Sequence, residues 1–145
     1  MIALIQRVRM GKVLVEQAVI GEIEQGIVAL IGVEKADTEK NAQRLLQRLL
    51  GYRIFSDAND RMNINIQTIQ GGLLLVPQFT LVADTKKGTK PSFSSAAPPA
   101  QGARLFHALV DGAKQTYQHV QSGQFGADMQ VHLVNDGPVT FWLTA

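Results

Sequence analysis

Apolar and polar positions change period several times along the chain, and each change marks an element. "IALIQRV" (2–8) and "KVLVE" (12–16) are apolar and β-branched, and Met10-Gly11 between them predicts a turn joining two strands. "AVIGEI" (18–23) predicts a short strand bent at Gly21. "GIVALIGV" (26–33) is unbroken and bounded by glycines, the pattern of a strand buried on both faces. The period then shifts. Ala42, Leu45, Leu46, Leu49 and Leu50 form one stripe of an amphipathic helix over 37–50. Asp37 or Thr38 can cap its start and Gly51 can close its end.

"YRIF" (52–55) reads as a short strand and "SDANDRMN" (56–63) as a polar loop. "NINIQ" alternates, so Ile64 and Ile66 should share a face. Gly71-Gly72 turns the chain into "LLLV" (73–76), a buried strand that Pro77 interrupts, because proline cannot donate to a ladder. "QFTLVAD" (78–84) reads as resumed extended structure. Residues 85–99 are rich in Lys, Gly, Ser and Pro and have no period; loops of about this length in compact domains tend to be functional. Pro98-Pro99 opens a second helix with Phe106, Leu109, Val110, Ala113 and Tyr117 on its buried stripe, slightly weakened by Gly102 and Gly112. "DMQVHLVN" (128–135) places Met129, Val131 and Leu133 on one face. Asn135-Asp136-Gly137-Pro138 reads as a hairpin turn into a last strand, "VTFWL". About eight short strands and two substantial helices predict a mixed α/β single domain over 1–145, with a curved, largely antiparallel, barrel-like β-sheet covered by two main helices.

The length of 145 residues fits one domain. No cysteine is present, which excludes disulfides, a thiolate nucleophile and thiolate metal sites. No run approaches the roughly 20 apolar residues that span a bilayer, so a soluble cytoplasmic protein is expected. Lys plus Arg is 14 and Asp plus Glu is 12, a net charge of +2 that does not suit binding of long nucleic acid by charge alone. Lys86, Lys87 and Lys90 make one local basic cluster, readable as a solvated loop or as a phosphate contact.

Ordinary catalytic machinery is missing. His107, His119 and His132 are not spaced as metal ligands with carboxylates, so no metal or other cofactor is expected. Asp57 and Asp60 read as turn residues. No nucleophile motif with its own base is visible. Two local features remain odd. In "VPQFTL" a buried strand is broken beside Gln78, Phe79 and Thr80. In "NDGPVTFWL" Pro138 follows the Asp-Gly pair and moves Gly137 away from the right-handed helical region, and a Gly-Pro bond is cis at low cost.

Taken together and in this order, "PQFTL" (77–81), "KPSF" (90–93) and "QFGADMQVHLVNDGPVTFWL" (124–143) resemble the D-aminoacyl-tRNA deacylases. "MIALIQRV" and "YRIFSDANDRMN" resemble the same family, so the likeness spans the chain. The resemblance implies a homodimer that hydrolyses the ester between a D-amino acid and the 3′-terminal adenosine of tRNA, holding only the acceptor end, with no membrane partner. It implies that Gln78, Phe79 and Thr80 lie at the scissile ester as the catalytic segment. Gly137 and Pro138, in cis, would face it from the partner subunit. Arg7 matches the arginine that supports the Gly-Pro element, and Phe125 and Met129 match residues near the pocket wall. Lys86, Lys87 and Lys90 would contact tRNA phosphates. Pro77 departs from the family's usual serine, so any bond made from that hydroxyl or amide is missing here. The rival readings are a non-catalytic dimeric module binding RNA ends or a small ligand, and a metal-dependent hydrolase.

Overall fold

The computed structural model describes residues 1–145. Strands β1 (Ile2–Val15), β2 (Ala18–Ile23) and β3 (Gly26–Gly32) lead into helix α1 (Glu39–Gly51). A small hairpin follows, β4 (Phe55–Ser56) and β5 (Met62–Ile64), then the single helical turn α2 (Ile66–Ile69). Strand β6 (Gly72–Pro77) runs into a 3₁₀ turn (Phe79–Val82). Helix α3 (Pro99–Thr116), β7 (Val120–Ser122) and β8 (Gln130–Thr144) complete the chain.

The main sheet is mixed. β2, β1 and β3 are antiparallel, β3, β6 and β7 are parallel, and β8 pairs along the other edge of β1. β1 is one long strand: β3 pairs its residues 2–8, and β2 pairs its residues 11–15. Met10-Gly11 is therefore no turn. Gly11 is buried within the strand, and a Cβ there would lie 2.6 Å from Val28 Cγ2 on the facing layer. The bend of β1 carries β2 over β6 and β7, so the sheet nearly closes.

Alternation along β3 and β6 feeds two cores. Ile27, Ala29, Ile31, Leu73 and Leu75 pack against the helices, with Leu45, Leu49, Phe106 and Leu109. Val28, Leu74 and Val76 point into the barrel with Val8, Val13 and Ile23. This is why "GIVALIGV" and "LLLV" are apolar on both faces. The stripes of α1 and α3 are buried as their spacing predicts, Leu105 adding to that of α3.

Three local expectations are overturned, and one strand was not foreseen. The regular part of "YRIF" is only Phe55, paired in β4. Ile64 and Ile66 do not share a strand face, because Asn65 accepts the N–H groups of Gln67 and Thr68 and starts α2. "QFTLVAD" is not extended: Leu81 N–H returns to Gln78 O and Ala83 N–H to Thr80 O. β7 carries no signal of its own in three residues, and it forms because Leu73, Leu74 and Leu75 offer it an edge.

The largest correction concerns the end of the chain. "DMQVHLVN" and "VTFWL" are not two strands of a hairpin. They are one strand, β8, running antiparallel to β1 throughout. Gln6 pairs Thr140 and Val8 pairs Asn135, so Arg7 alone faces Asp136, Gly137, Pro138 and Val139. "NDGP" is a wide bulge. It pushes the Gly-Pro pair out of the sheet without reversing the chain.

Candidate active site

A cleft of about 490 Å³ opens where β6 ends. Its wall is Val76, Pro77, Gln78, Phe79 and Thr80 on one side, Ala96, Ala97 and Pro99 on another, and Phe125, Gly126, Ala127, Met129 and Val131 on a third. None of these side chains ionises near neutral pH. The two groups with shifted proton affinity do not line the cleft. Asp57 is lowered chiefly by the Arg61 N–H in the β4–β5 turn, and Tyr117 is raised by burial.

Local sequence explains the shape of the wall. Pro77 pairs Ile31 at the end of β6, while β7 last pairs β6 two positions earlier, at Leu75. The missing N–H therefore removes no ladder bond, and proline is tolerated at this strand end. Gln78 N–H still reaches Ile31 O at 2.8 Å. The chain then tightens into the 3₁₀ turn. Phe79 and Thr80 are its first two residues, and their N–H groups have no acceptor within the chain. Gln78 Nε2 donates to Thr80 Oγ1 at 3.0 Å, and no carboxylate or imidazole reaches that hydroxyl.

Glycines let the opposite wall close in. A Cβ on Gly102 would stand 3.1 Å from the Phe125 ring, so this glycine admits the ring against α3. A Cβ on Gly123 would stand 2.9 Å from Met129 Sδ and 3.3 Å from Pro77 Cδ. The third wall is braced from the far side: Ala97 N–H bonds Val33 O, Lys35 N–H bonds Ser95 O, and Gln101 Nε2 bonds Lys35 O and Asp37 O. Asp37, one of the two caps expected for α1, instead binds the Met1 ammonium at 2.7 Å and the Glu34 N–H. Thr38 is the cap.

The Gly-Pro bulge is built separately. Arg7 Nε donates to Asp136 O at 2.9 Å and Arg7 Nη1 to Ile54 O at 2.8 Å, so one guanidinium ties the bulge to the segment before β4. Arg9 lies 3.4 Å from the Asp136 carboxylate. Asn135 closes the bulge from within. Its Oδ1 accepts Val139 N–H at 2.7 Å, and its Nδ2 donates to Thr140 Oγ1 at 3.0 Å and to Val139 O at 3.3 Å. Gly137 has φ +140°, a region that L side chains rarely adopt, and the Gly137-Pro138 bond is cis. Both residues are exposed.

Gln78, Phe79, Thr80, Phe125 and Met129 thus meet in one cleft, whereas Arg7, Gly137 and Pro138 meet in another place and add nothing to the lining of the same chain's cleft. Lys86, Lys87 and Lys90 are exposed on a loop closed by the pairing of Asp84 with Ser92. Sequence reasoning missed Asn135, Ala96, Ala97 and Ala127. The Asn-x-Gly-Pro spacing held a signal for Asn135, since a side-chain amide two residues before such a glycine can bond nearby backbone. The alanines held none.

A nearly closed mixed sheet, backed by helices and carrying an apolar cleft with free backbone donors at its mouth, defines the class: an α/β domain whose cleft is lined without ionisable side chains. The chain belongs to the D-Tyr-tRNA(Tyr) deacylase family, whose model matches residues 4–144. It is 57% identical over 143 residues to a D-aminoacyl-tRNA deacylase of Cellvibrio japonicus, covering 99% of this chain and 98% of that one. It is 59% identical over 140 residues to one from Ectopseudomonas mendocina, covering 97% of each. Among solved structures, a c-Myc DNA unwinding element binding protein superposes with a TM-score of 0.95 at 35% identity, covering 100% of this chain and 99% of that one.

Proposed function

We propose that this protein is a homodimeric hydrolase that cleaves the ester between a D-amino acid and the 3′-terminal adenosine of tRNA. The observation that carries this reading is the pair of unbonded N–H groups of Phe79 and Thr80 at the mouth of an apolar cleft. Two such donors suit the oxyanion of an ester's tetrahedral intermediate. Water attacks the ester carbonyl and its π electrons move onto the oxygen held by these amides. Collapse expels the ribose oxygen, which takes a proton to give free tRNA and the amino acid. The cleft has no base of its own, so the neighbouring ribose hydroxyl of the substrate assists the water.

Thr80 is an unassisted hydroxyl in this scheme and a poor nucleophile. Thr80→Ala is therefore expected to keep kcat within about tenfold, since only backbone contacts act. Loss of all turnover in a folded variant, or an acyl group trapped on Thr80, would replace this mechanism with a covalent one.

Chirality is assigned to the bulge. Gly137 and Pro138 of one subunit reach the partner's cleft, where their carbonyls accept bonds from the substrate's amino group and leave no room for an L side chain. The outer edge of β8 supports a subunit contact: it pairs nothing in the chain, and Val131, Val134 and Trp142 are exposed along the strand. Selection by clash cannot reject glycine. Purified protein with matched D-tyrosyl-, L-tyrosyl- and glycyl-tRNA, with and without chelator, tests the reading. Release of D-tyrosine and glycine but not L-tyrosine, unchanged by chelator, is expected. No release would leave a binding module, and equal rates for D and L would remove the gate. Release abolished by chelator would point to the metal-dependent alternative.

A further inference from the structure

The cleft sets a limit on how much substrate it holds. At about 490 Å³ it falls within the range of pockets that enclose one drug-sized ligand, which suits one aminoacylated nucleoside. The nucleotide before that nucleoside must leave over the rim. The rim carries an unusual pair: Phe79 is 61% exposed and Phe93 is 39% exposed, and their rings touch with centroids 5.1 Å apart, tilted by 47°. Phe93 does not line the cleft, yet it is fixed to the wall, since Ala96 N–H bonds Phe93 O at 3.1 Å.

The loop leading to Phe93 is net positive, with Lys86, Lys87 and Lys90 against Asp84. Asp84 and Ser92 exchange backbone bonds of 2.7 and 3.0 Å, which close an arch carrying Lys86, Lys87 and Lys90 and deliver the chain to Phe93. Asp84 is the only acidic residue from 84 to 97. Exposed aromatic faces beside free cations are what single-stranded nucleic acid sites combine: bases stack on the rings and phosphates lie by the lysines.

We propose that Phe93, backed by Phe79, is a stacking platform for the base of the penultimate nucleotide of the tRNA acceptor end, with the lysine arch beside its phosphate. This rests on the reading of the cleft as the site of an aminoacyl-adenosine. Phe93 is then a positioning residue, remote from the reacting ester. Every tRNA ends in the same three nucleotides, so such a platform strengthens binding without choosing among tRNAs.

The test compares D-tyrosyl-adenosine, the D-tyrosylated cytidine–adenosine dinucleotide, and D-tyrosyl-tRNA on the wild type, Phe93→Ala and Phe93→Trp. Adding the cytidine nucleotide is expected to lower KM of the wild type by about tenfold, the scale of one stacked base. Phe93→Ala should lose that gain on the dinucleotide and the tRNA while matching the wild type on D-tyrosyl-adenosine, and Phe93→Trp should restore it. A gain that persists in Phe93→Ala, or no gain in the wild type, overturns the platform. An equal loss on all three substrates, or a change in sedimentation showing that the subunits separate, assigns Phe93 to the cleft or to the subunit contact and also overturns it. If the wild type cleaves none of the three, the reading of the cleft fails and the platform falls with it.

Discussion

Gly137→Ala is expected to lower kcat/KM for D-aminoacyl-tRNA by about 100-fold, the effect of displacing a positioning element by roughly 1 Å. The cause is local and steric. A Cβ at Gly137 would stand 2.7 Å from Val139 Cγ2 and 3.1 Å from Arg7 Nη2, at a φ of +140°. Neither neighbour can yield freely. Val139 is buried and held through its N–H by Asn135, and Arg7 is held by bonds to Asp136 O and Ile54 O. The backbone has to move instead, and it carries the carbonyls proposed to meet the substrate. The bulge lies on one edge of the sheet and joins the helix-side core only through Val139, so global stability should fall by only about 1–3 kcal/mol. Steady-state kinetics with a parallel urea titration checks both halves. Full activity in a folded variant would show that the bulge takes no part in the reaction.

The second large effect concerns two inactive variants that repair each other. Ala127→Trp fills the cleft and Gly137→Ala displaces the bulge, and these lie in separate regions of the chain. If each site joins one subunit's cleft to its partner's bulge, a heterodimer of the two variants carries one intact site. Random reassociation from equal amounts makes half of the dimers mixed, so about a quarter of wild-type activity should return. A site contained within one chain leaves every mixed dimer inactive. The measurement is deacylation after co-refolding, set against each variant refolded alone.

Much of the fold was legible because periodicity reports burial directly. The stripes of α1 and α3 and the two-faced apolar runs of β3 and β6 follow from which side chains must leave water. Breaks in pattern were legible as breaks, but their geometry was not. Pro77 marked the end of β6, yet nothing local distinguished an extended continuation from the 3₁₀ turn that frees the amides of Phe79 and Thr80. β7 is three residues long and exists only because β6 has an edge to fill. The residues of the cleft were found through family likeness, since backbone donors and small alanines leave no compositional trace.

The sequence by itself determined the class of domain, the two helices, the buried strands and the absence of thiol chemistry. It also determined that something unusual occurs at Pro77–Thr80 and at Asn135–Pro138. Only the tertiary structure decided what those two features are. "NDGP" carries the residues of a hairpin turn, and a glycine at positive φ serves a hairpin and a bulge equally well. What chose the bulge was β1. A single strand from Ile2 to Val15 offers pairing partners on both sides of Arg7, so β8 gains more by staying on that edge than by turning back. Arg7 and Asn135 then tie down the residues left over. That long-range pairing makes Gly137-Pro138 a projecting element, set apart from the cleft of its own chain.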